Sequence, residues 1–469
     1  MIAVRAYEGR RVAVFGLGRT GRAAVRALLA GGAKVSAWDD NEATRAAAEA
    51  DGIELDDLNR RDWGDVAALV LSPGVPLTHP KPHRMVELAR AVDAPVIGDV
   101  ELFAREIADM DDVRVIGVTG TNGKSTTTAL IGHVLRTAGL DVRVGGNIGE
   151  AVLGLDPPRP GAVYVLELSS YQLDLTETLR CDAAVFLNLS PDHLDRHGSL
   201  DGYFAAKRRI FAERGEGDAA IIGVDDTISK RLMTQLRARD PDNVIAISSG
   251  RTLSDGVYGI GGVLYDALEG KAKKVLKLAE AAALPGDHNA QNAAAAYAVA
   301  RRFGVEADTI VEALKSFPGL AHRQQLVARV GALRFVNDSK ATNAESAARS
   351  LASYDDVFWI AGGLIKDGDY APVREQMSRV RKAYLIGKDA KRLAGSLGGH
   401  VEVRFCEDIE KAAAFATHDA LQSGLKAPVV LLAPACASQD QFRDFEERGE
   451  AFATAVRAVI GPQRNGDAA

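Results

Sequence analysis

A glycine-rich segment, GVTGTNGKST at residues 117–126, places a lysine and several hydroxyl side chains between an apolar run and a helical pattern. Backbone N–H groups of such a turn can approach phosphate oxygens, and the N-terminus of the following helix favours negative charge. Lys124 can then reach the β- and γ-phosphates, and the hydroxyl of Ser125 can hold Mg²⁺. A tight turn without a ligand is the alternative, but Gly-Lys-Ser in this context favours nucleotide binding.

Two further polar side chains have the chemistry of metal ligands. Glu167 and His193 each follow a predicted strand, which places a carboxylate and an imidazole near the C-terminal edge of a sheet, where ligands bind. Taken alone, either residue is more often a structural group. Together with a phosphate loop they favour metal binding.

The spacing of the glycine-rich segment differs from the usual phosphate loop, because GxxxxGKS requires glycine where Val118 stands. The shorter form Gly-Thr-Asn-Gly-Lys-Ser resembles the ATP loop of the Mur ligases and of folylpolyglutamate synthases. More segments resemble successive Mur ligase motifs in the same order, namely ELSSYQL at 167–173, NLSPDHLDRH at 188–197, YFAAKRRIF at 203–211 and GDHNAQNAAAA at 286–296. The resemblance implies that ATP is bound by Gly120, Thr121, Asn122, Gly123, Lys124, Ser125 and Thr126.

The resemblance also assigns roles that residue chemistry alone does not. It implies that Lys207 is carbamylated and helps Ser125, Glu167 and His193 to hold two Mg²⁺ ions, whereas the residue alone is interpreted as a solvated helix lysine. It places Asn289 and Asn292 at the adenine and ribose of ATP, although a helix cap together with His288 explains them equally well from spacing. The remaining implied ATP contacts are Arg323, for which a surface salt bridge is the alternative, and Asp338, which could instead orient neighbouring residues.

Near the N-terminus, GLGRTG supplies Gly16, Gly18 and Gly21, and Asp39 stands at the end of the next predicted strand. This pattern satisfies the dinucleotide fingerprint, so an NAD-dependent oxidoreductase is the main rival interpretation. The pattern is weakly specific, because any diphosphate could use that helix N-terminus. The resemblance instead implies a UDP-linked substrate, with contacts from Gly18, Arg19, Thr20, Asp39, Ser72, Gly74 and Asn147.

The last third of the chain carries NDSKATN at 337–343 and ACASQDQFRDFEERG at 435–449. Both segments resemble the branch of the Mur ligases that joins D-glutamate to UDP-N-acetylmuramoyl-L-alanine. A dicarboxylate needs several donors. The resemblance supplies them as Lys340, Thr342, Lys366, Ser438 and the backbone near Phe445. Cys436 lacks a paired histidine in the sequence and is interpreted as a small buried thiol.

The elements that must position these residues follow a βαβ rhythm, which predicts parallel sheets. We expect an α/β protein of three domains. These are a Rossmann-like substrate domain at 1–110, a central ATPase-like domain at 111–318 and a Rossmann-like amino-acid domain at 319–469. Helices are predicted from Arg22 to Ala30, from Thr126 to Ala138 and from Ala290 to Phe303. Residues 250–277 alternate like antiparallel strands.

Composition limits the function classes. The 469 residues are 47% hydrophobic with a net charge of -6, which supports several cores and argues against a general nucleic-acid binder. No apolar run is long enough to span a membrane, and three scattered cysteines predict a reducing compartment. We therefore expect a cytoplasmic protein. We also predict a monomer that acts on small molecules. A nucleotide-dependent switch without amide formation is the third functional class considered, beside the ligase and the dehydrogenase.

Overall fold

The computed structural model describes residues 1–286, 288–365 and 369–461. Lys366, expected at the amino-acid site, lies outside the described residues. The chain divides into two compact units. The first contains Met1–Glu280 with Asp287–Phe317, and the second contains Ala281–Gly286 with Pro318–Ala469.

The N-terminal part of the first unit is a parallel sheet in the order β2-β1-β3-β4. Its strands are short apolar runs, and each is followed by a helix, which is the pattern that favours parallel pairing. The elements are β1 (Arg11–Phe15), α1 (Arg19–Ala30), β2 (Lys34–Trp38), α2 (Glu42–Ala50), β3 (Val66–Leu71), α3 (Arg84–Ala91), β4 (Val96–Ile97) and α4 (Asp99–Ile107).

The rest of the first unit is a larger sheet in the order β13-β12-β11-β10-β9-β8-β5-β7-β6. Its strands are β5 (Arg114–Thr119), β6 (Asp141–Gly146), β7 (Ala162–Glu167), β8 (Ala183–Phe186), β9 (Ala219–Gly223), β10 (Val244–Ser248), β11 (Val257–Ile260), β12 (Val263–Asp266) and β13 (Lys273–Lys277). Its helices are α5 (Lys124–Thr137), α6 (Ser170–Asp174), α7 (Leu194–His197), α8 (Leu200–Arg208), α9 (Thr227–Arg237), α10 (His288–Arg302) and α11 (Ala307–Ser316). Among the described strand pairs of this sheet, β11–β12 and β12–β13 are antiparallel and the others are parallel.

The second unit contains a sheet in the order β14-β15-β19-β16-β17-β18, parallel except for the β14–β15 hairpin. Apolar side chains pack on both faces of this sheet, so its central strands are buried on both sides. The elements are β14 (Gln325–Val330), β15 (Leu333–Asn337), α12 (Ala344–Ala352), β16 (Val357–Gly362), α13 (Ala371–Arg374), β17 (Val380–Ile386), α14 (Ala390–Ser396), β18 (Val403–Phe405), α15 (Ile409–Gln422), β19 (Val429–Leu432) and α16 (Phe445–Ile460).

The predicted α/β class with mostly parallel sheets is confirmed, as is the antiparallel pairing near residues 250–277. The predicted starts of α1 and α5 were late by a few residues, because residues of low helix propensity belong to the first helical turn, namely Thr20 and Gly21 in α1 and Ser125 in α5. In the described part of the chain, no helix combines the length and apolarity that a membrane crossing requires.

Candidate active site

The phosphate loop joins β5 to α5 through two glycines with positive φ. Gly120 has φ of 151° and Gly123, the N-cap of α5, has φ of 84°. A Cβ atom on Gly123 would lie 2.4 Å from Oδ1 of Asn292. Glycine is therefore required at residue 123 both by backbone conformation and by the close approach of α10.

Two lysines converge on the carbonyl oxygens of this loop. Nζ of Lys124 donates to the carbonyls of Gly120 and Thr121, at 3.0 and 2.9 Å. Nζ of Lys207 donates to the same Gly120 carbonyl at 2.8 Å. The structure thus brings together a loop lysine and a lysine that stands more than eighty residues later in the sequence.

Lys207 is 1% exposed, so its interpretation from residue chemistry as a solvated helix lysine was wrong. Its helix, α8, turns this side chain inward, and Nζ lies 4.7 Å from the centroid of the Tyr203 ring. Burial, together with the charge of Lys124, holds the pKa of Lys207 well below its usual value, while Asp192 and Glu167 oppose that shift. A buried amine in this environment is shifted toward its neutral, nucleophilic form.

Glu167 is the last residue of β7 and is buried. Its Oε1 accepts a hydrogen bond of 2.8 Å from Nδ2 of Asn147. Its Oε2 is buried and has no hydrogen-bond partner within the described residues. A buried carboxylate oxygen is costly to leave without a partner, and a cation would satisfy it.

His193 has the left-handed backbone conformation, with φ of 53°, immediately before α7. Its Nε2 lies 3.5 Å from the carboxylate of Asp192, and its ring packs 5.0 Å from that of Tyr171. Burial lowers the pKa of His193, the charge of Asp192 opposes this shift, and the charges of Lys207 and Lys124 lower the pKa further. Neutral imidazole, the form that can bind a metal, is therefore favoured.

The predicted metal ligands Ser125, Glu167, His193 and Lys207 fit a Mg²⁺ site that uses ligands from the substrate. No group of three or more His, Cys, Asp and Glu side chains suited to a metal occurs in the described ranges. Mg²⁺ is usually held by one or two carboxylates together with phosphates and waters rather than by an all-protein cage. The orphaned oxygen of Glu167 beside the phosphate loop agrees with that mode.

Asn289 and Asn292 lie in the first turns of α10 and are both buried. Nδ2 of Asn292 donates to Oδ1 of Asn289 at 2.8 Å, and Oδ1 of Asn292 accepts from Thr127 of α5 at 3.0 Å. The two predicted nucleotide-binding amides are thus joined to each other and to the helix that follows the phosphate loop.

The N-terminal glycine-rich turn is closed by SPGV at 72–75. Oγ of Ser72 donates to the carbonyl of Gly16 at 2.8 Å. The carboxylate of Asp39 accepts from the backbone N–H groups of Leu17 and Asn41, at 2.7 and 2.8 Å.

The helix that follows this turn begins next to other predicted substrate residues. Gly18 is the N-cap of α1, and the guanidinium of Arg19 at the start of that helix lies 3.5 Å from the carbonyl of Asn147. The predicted substrate residues therefore surround one helix N-terminus, with Thr20 in its first turn and Gly74 on the closing segment.

In the second unit, the two motifs expected to bind the amino acid are adjacent. Nζ of Lys340 lies 3.7 Å from the centroid of the Phe445 ring. The backbone N–H of Ala435 donates to the carbonyl of Ala341 at 2.9 Å, and Ser438 is buried on the same segment. Thr342 follows on the loop before α12. Cys436 is buried, as expected, and burial raises the pKa of its thiol to about 11.

Arg323 is flanked by two residues with positive φ, His322 at 60° and Gln324 at 44°. The backbone N–H of Gln324 donates to Asp338 at 3.3 Å, and Ser350 donates to the same carboxylate. Burial raises the pKa of Asp338 to about 6, and the charge of Arg323 opposes the shift. These contacts hold two of the predicted ATP residues close together within the second unit.

Comparison with known proteins identifies the family. Residues 10–98 match the Mur ligase MurD-like N-terminal domain, and residues 118–300 match the Mur ligase middle domain. UDP-N-acetylmuramoylalanine--D-glutamate ligase of Caulobacter sp. (strain K31) is 56% identical over 98% of this chain and 99% of its own length. This chain belongs to the Mur ligase family. The ligase of the same name from Phenylobacterium zucineum (strain HLK1) is 54% identical over 99% of both chains.

Solved structures of this family share the fold at low sequence identity. The UDP-N-acetylmuramate-alanine ligase MurC of Thermotoga maritima aligns with a TM-score of 0.60 over 96% of this chain and 99% of its own, at 18% identity. MurF of Acinetobacter baumannii aligns with a TM-score of 0.58 over 98% and 93% of the two chains, at 16% identity. These likenesses establish the fold alone.

Two residues at the site, Asn188 and Arg448, were missed from the sequence. Asn188 bridges the phosphate loop and α10, because its amide donates to the Asn122 carbonyl at 3.2 Å and to Gln291 at 2.8 Å. Arg448 is buried and donates to the carbonyls of Ser339 and Cys436, at 2.9 and 3.2 Å. Both residues lie inside the motifs quoted above, so their place in a motif could have identified them. Their contacts could not be predicted, because the partners are distant in the sequence.

Proposed function

We propose that this chain is an ATP-dependent ligase that joins D-glutamate to the L-alanyl carboxylate of UDP-N-acetylmuramoyl-L-alanine, a step of peptidoglycan precursor synthesis. The observation that carries the proposal is the convergence of Lys124 and buried Lys207 on the Gly120 carbonyl of a phosphate loop. ATP use is common to the family. The choice of D-glutamate is supported by full-length relatives of that name at 50–56% identity.

The proposed reaction has two steps. An oxygen of the L-alanyl carboxylate attacks the γ-phosphorus of ATP, the bond to the β-γ bridging oxygen breaks, and ADP leaves with an acyl phosphate formed. The amine of D-glutamate then attacks the acyl carbon and loses a proton, and the tetrahedral intermediate expels inorganic phosphate. The products are the amide, ADP and phosphate.

The phosphate loop would bind the triphosphate through its backbone N–H groups, with Lys124 released from its own loop carbonyls to offset the charge on the transferring phosphoryl group. Amides of Asn289 and Asn292 would contact the adenosine portion. Arg323 and Asp338 are proposed as further ATP contacts. These assignments remain predictions.

Ser125, Glu167, His193 and Lys207 would hold Mg²⁺, two ions being expected. When bound, Mg²⁺ neutralises charge on the phosphoryl oxygens. Carbamylation of Lys207 is proposed as well, because a neutral amine can add to CO₂ and lose one proton to give an anionic carbamate. The low pKa of this lysine favours the addition.

Substrate selection is assigned to the two remaining groups of residues. Gly18, Arg19, Thr20, Asp39, Ser72, Gly74 and Asn147 would bind the UDP-linked substrate. Lys340, Thr342, Ser438 and the backbone at Phe445 would bind D-glutamate, with Lys366 as a further predicted contact outside the described residues. We accordingly propose functional domains at 1–110, 111–318 and 319–469, each of which contains one of the three sheets.

We also propose that the protein acts in the cytoplasm as a monomer, on small molecules and without nucleic acid or membrane insertion. All three cysteines are free thiols, which agrees with a reducing compartment. The net charge of -6 disfavours general phosphate-backbone binding.

The test is phosphate release by the purified full chain with Mg²⁺, ATP, UDP-N-acetylmuramoyl-L-alanine and D-glutamate, omitting each component in turn and recording product mass. The proposal predicts release only with every component present, and a product heavier by one glutamate residue. Release with another amino acid instead would refute the D-glutamate assignment and leave the ligase class intact. Nicotinamide reduction would support the dehydrogenase, and ATP hydrolysis without a new amide would support the switch.

A further inference from the structure

Arg196 is a cation that the proposed reaction does not use. It lies in α7, three residues after His193, and its guanidinium reaches the segment SPGV that closes the N-terminal glycine-rich turn. Its NH1 donates to the carbonyl of Gly74 at 2.7 Å, and its NH2 donates to that of Val75 at 2.8 Å. The contacts span more than 120 residues of sequence within the first unit.

The guanidinium is held by groups that carry no charge. The guanidinium carbon, Cζ, lies 4.8 Å from the centroid of the Tyr171 ring. The Nε atom of Arg196 is buried and has no hydrogen-bond partner among the described residues. Arg196 forms no ion pair within the described part of the chain. Its direct hydrogen bonds go only to neutral carbonyls, and its charge acts on Asp174 only by opposing the rise that burial causes in the pKa of that carboxyl. The main effect of Arg196 is therefore the geometry that these hydrogen bonds fix.

The two ends of this contact belong to different binding groups. On one side, Ser72 joins the closing segment to the Gly16 carbonyl of the substrate turn at 2.8 Å. On the other side, the backbone N–H of Arg196 donates to the carbonyl of His193 at 3.1 Å, within the turn that fixes that residue. Tyr171 contacts both side chains, because its ring lies 5.0 Å from that of His193.

We infer that Arg196 is a positioning residue that couples binding of the UDP-linked substrate at SPGV to placement of His193 at the Mg²⁺-nucleotide site. The inference rests on the proposed function and deepens it. Contacts to the remote UDP portion would restrict the segment at 73–75, and the guanidinium would transmit that restriction to α7. Binding energy from a non-reacting part of the substrate is thereby used to order the reacting centre.

The chain offers a matched control in Arg209. Its Nε and NH2 donate to the Thr176 carbonyl, at 3.0 and 2.8 Å, so it also holds neutral backbone. Both ends of that contact lie after residue 111, so it does not reach the N-terminal sheet. Arg209→Gln therefore removes a comparable structural contact without touching the proposed coupling.

The experiment measures coupling as a ratio of affinities. The Kd of UDP-N-acetylmuramoyl-L-alanine is determined by calorimetry on the full chain, with and without Mg²⁺ and a non-hydrolysable ATP analogue. For the unmodified protein and Arg209→Gln we expect the nucleotide to tighten substrate binding roughly fivefold or more, a typical allosteric coupling. For Arg196→Gln we expect the ratio to fall to about 1, and for Arg196→Lys to lie between, because an ammonium lacks the fork geometry.

The inference would be overturned if the nucleotide tightened substrate binding by the same factor in Arg196→Gln as in the unmodified protein. This holds even if Arg196→Gln bound the substrate more weakly both with and without nucleotide, because Arg196 would then support only the structure around it. Absence of coupling in the unmodified protein would overturn it as well. Should Arg196→Gln fail to fold, Tyr171→Leu tests the same contact and should reduce the ratio. Failure of the proposed function is distinguishable, because it would appear as no D-glutamate adduct from the unmodified protein, whatever the ratio.

Discussion

The side chain of Lys207 donates a 2.8 Å hydrogen bond from Nζ to the carbonyl oxygen of Gly120, in the phosphate loop. This contact brings a buried amine to the loop that is proposed to bind the triphosphate. Burial of an amine is expensive, and here the cost is tolerated beside a second lysine, Lys124. Such an arrangement is typical of a functional site rather than of a structural core.

Replacement of Lys207 should separate activity from stability. In Lys207→Met we expect kcat to fall at least about a hundredfold, as for loss of a group that orders charge in the transition state. The melting temperature should stay the same or rise, because an apolar side chain of similar length replaces a desolvated amine. Steady-state kinetics and thermal melting test this, and an active variant would refute the assignment. A second measurement tests carbamylation. In bicarbonate, the intact mass of the unmodified protein should be higher by one CO₂, and Lys207→Met should lack this addition.

Gly123→Ala should weaken nucleotide binding specifically. The added Cβ meets Oδ1 of Asn292 at 2.4 Å, whereas a Cβ on Gly217, with nearly the same φ of 82°, meets nothing within 4 Å. Both changes carry the backbone penalty of roughly 1 kcal/mol. Only Gly123→Ala should raise the Kd of an ATP analogue, by about tenfold or more, a loss of about 1.4 kcal/mol. Equal affinities of the two variants in calorimetry would show that the contact with α10 is unimportant.

Asp99 and Glu101 are two buried carboxylates at the start of α4. Replacing each with its uncharged amide should change the free energy of unfolding in opposite directions. Burial raises the pKa of Asp99 to about 6, and hydrogen bonds from the Val100 N–H and from Gln172 only partly oppose that rise. The folded state then holds a proton that the unfolded state releases, so this group lowers stability as pH rises from about 4 to 6. Asp99→Asn should therefore raise the free energy of unfolding at pH 7.5 by up to about 3 kcal/mol. The gain should vanish below about pH 4.

Glu101 supplies the contrast. Its carboxylate accepts from the backbone N–H groups of Glu177 and Thr178, at 2.7 and 2.9 Å, and from Arg105 at 2.7 Å. Burial acts to raise its pKa, but these hydrogen bonds outweigh burial and lower the pKa. Its stabilisation is present above the unfolded pKa and lost as pH falls, so Glu101→Gln should destabilise the protein at pH 7.5 by about 2 kcal/mol or more. Urea unfolding at several pH values tests both variants, and the same sign for both would contradict the argument.

Arg448→Met should impair use of D-glutamate selectively. The buried guanidinium holds the Ser339 and Cys436 carbonyls, which belong to the two motifs of the proposed amino-acid site. Loss of these donors leaves buried carbonyls without partners. We expect the KM for D-glutamate to rise at least about tenfold, or about 1.4 kcal/mol, with the KM for ATP unchanged. Arg443→Met, on an exposed side chain of the same segment, is the control and should leave all constants unchanged.

The sequence by itself determined the elements and the family. Short apolar runs alternating with helical patterns predict parallel sheets, since strands buried on both faces must be apolar throughout. The glycines at 120 and 123 mark a phosphate loop, because only glycine adopts those backbone angles without strain. The order of the motifs indicated the Mur ligases. These features depend on residues that are close together in the sequence, so they can be predicted from it.

Only the tertiary structure decided which of these residues meet and what their surroundings do to them. In the sequence Lys207 cannot be distinguished from an exposed helix lysine, but the fold buries it against Gly120. The proposed role of Arg196 depends on hydrogen bonds to carbonyls more than 120 residues away. Asp99 and Glu101 stand two residues apart in one helix, yet hydrogen bonds outweigh the effect of burial on the pKa only for Glu101. Burial, pKa and hydrogen-bond satisfaction depend on groups contributed by distant segments, so they are set by packing rather than by local spacing.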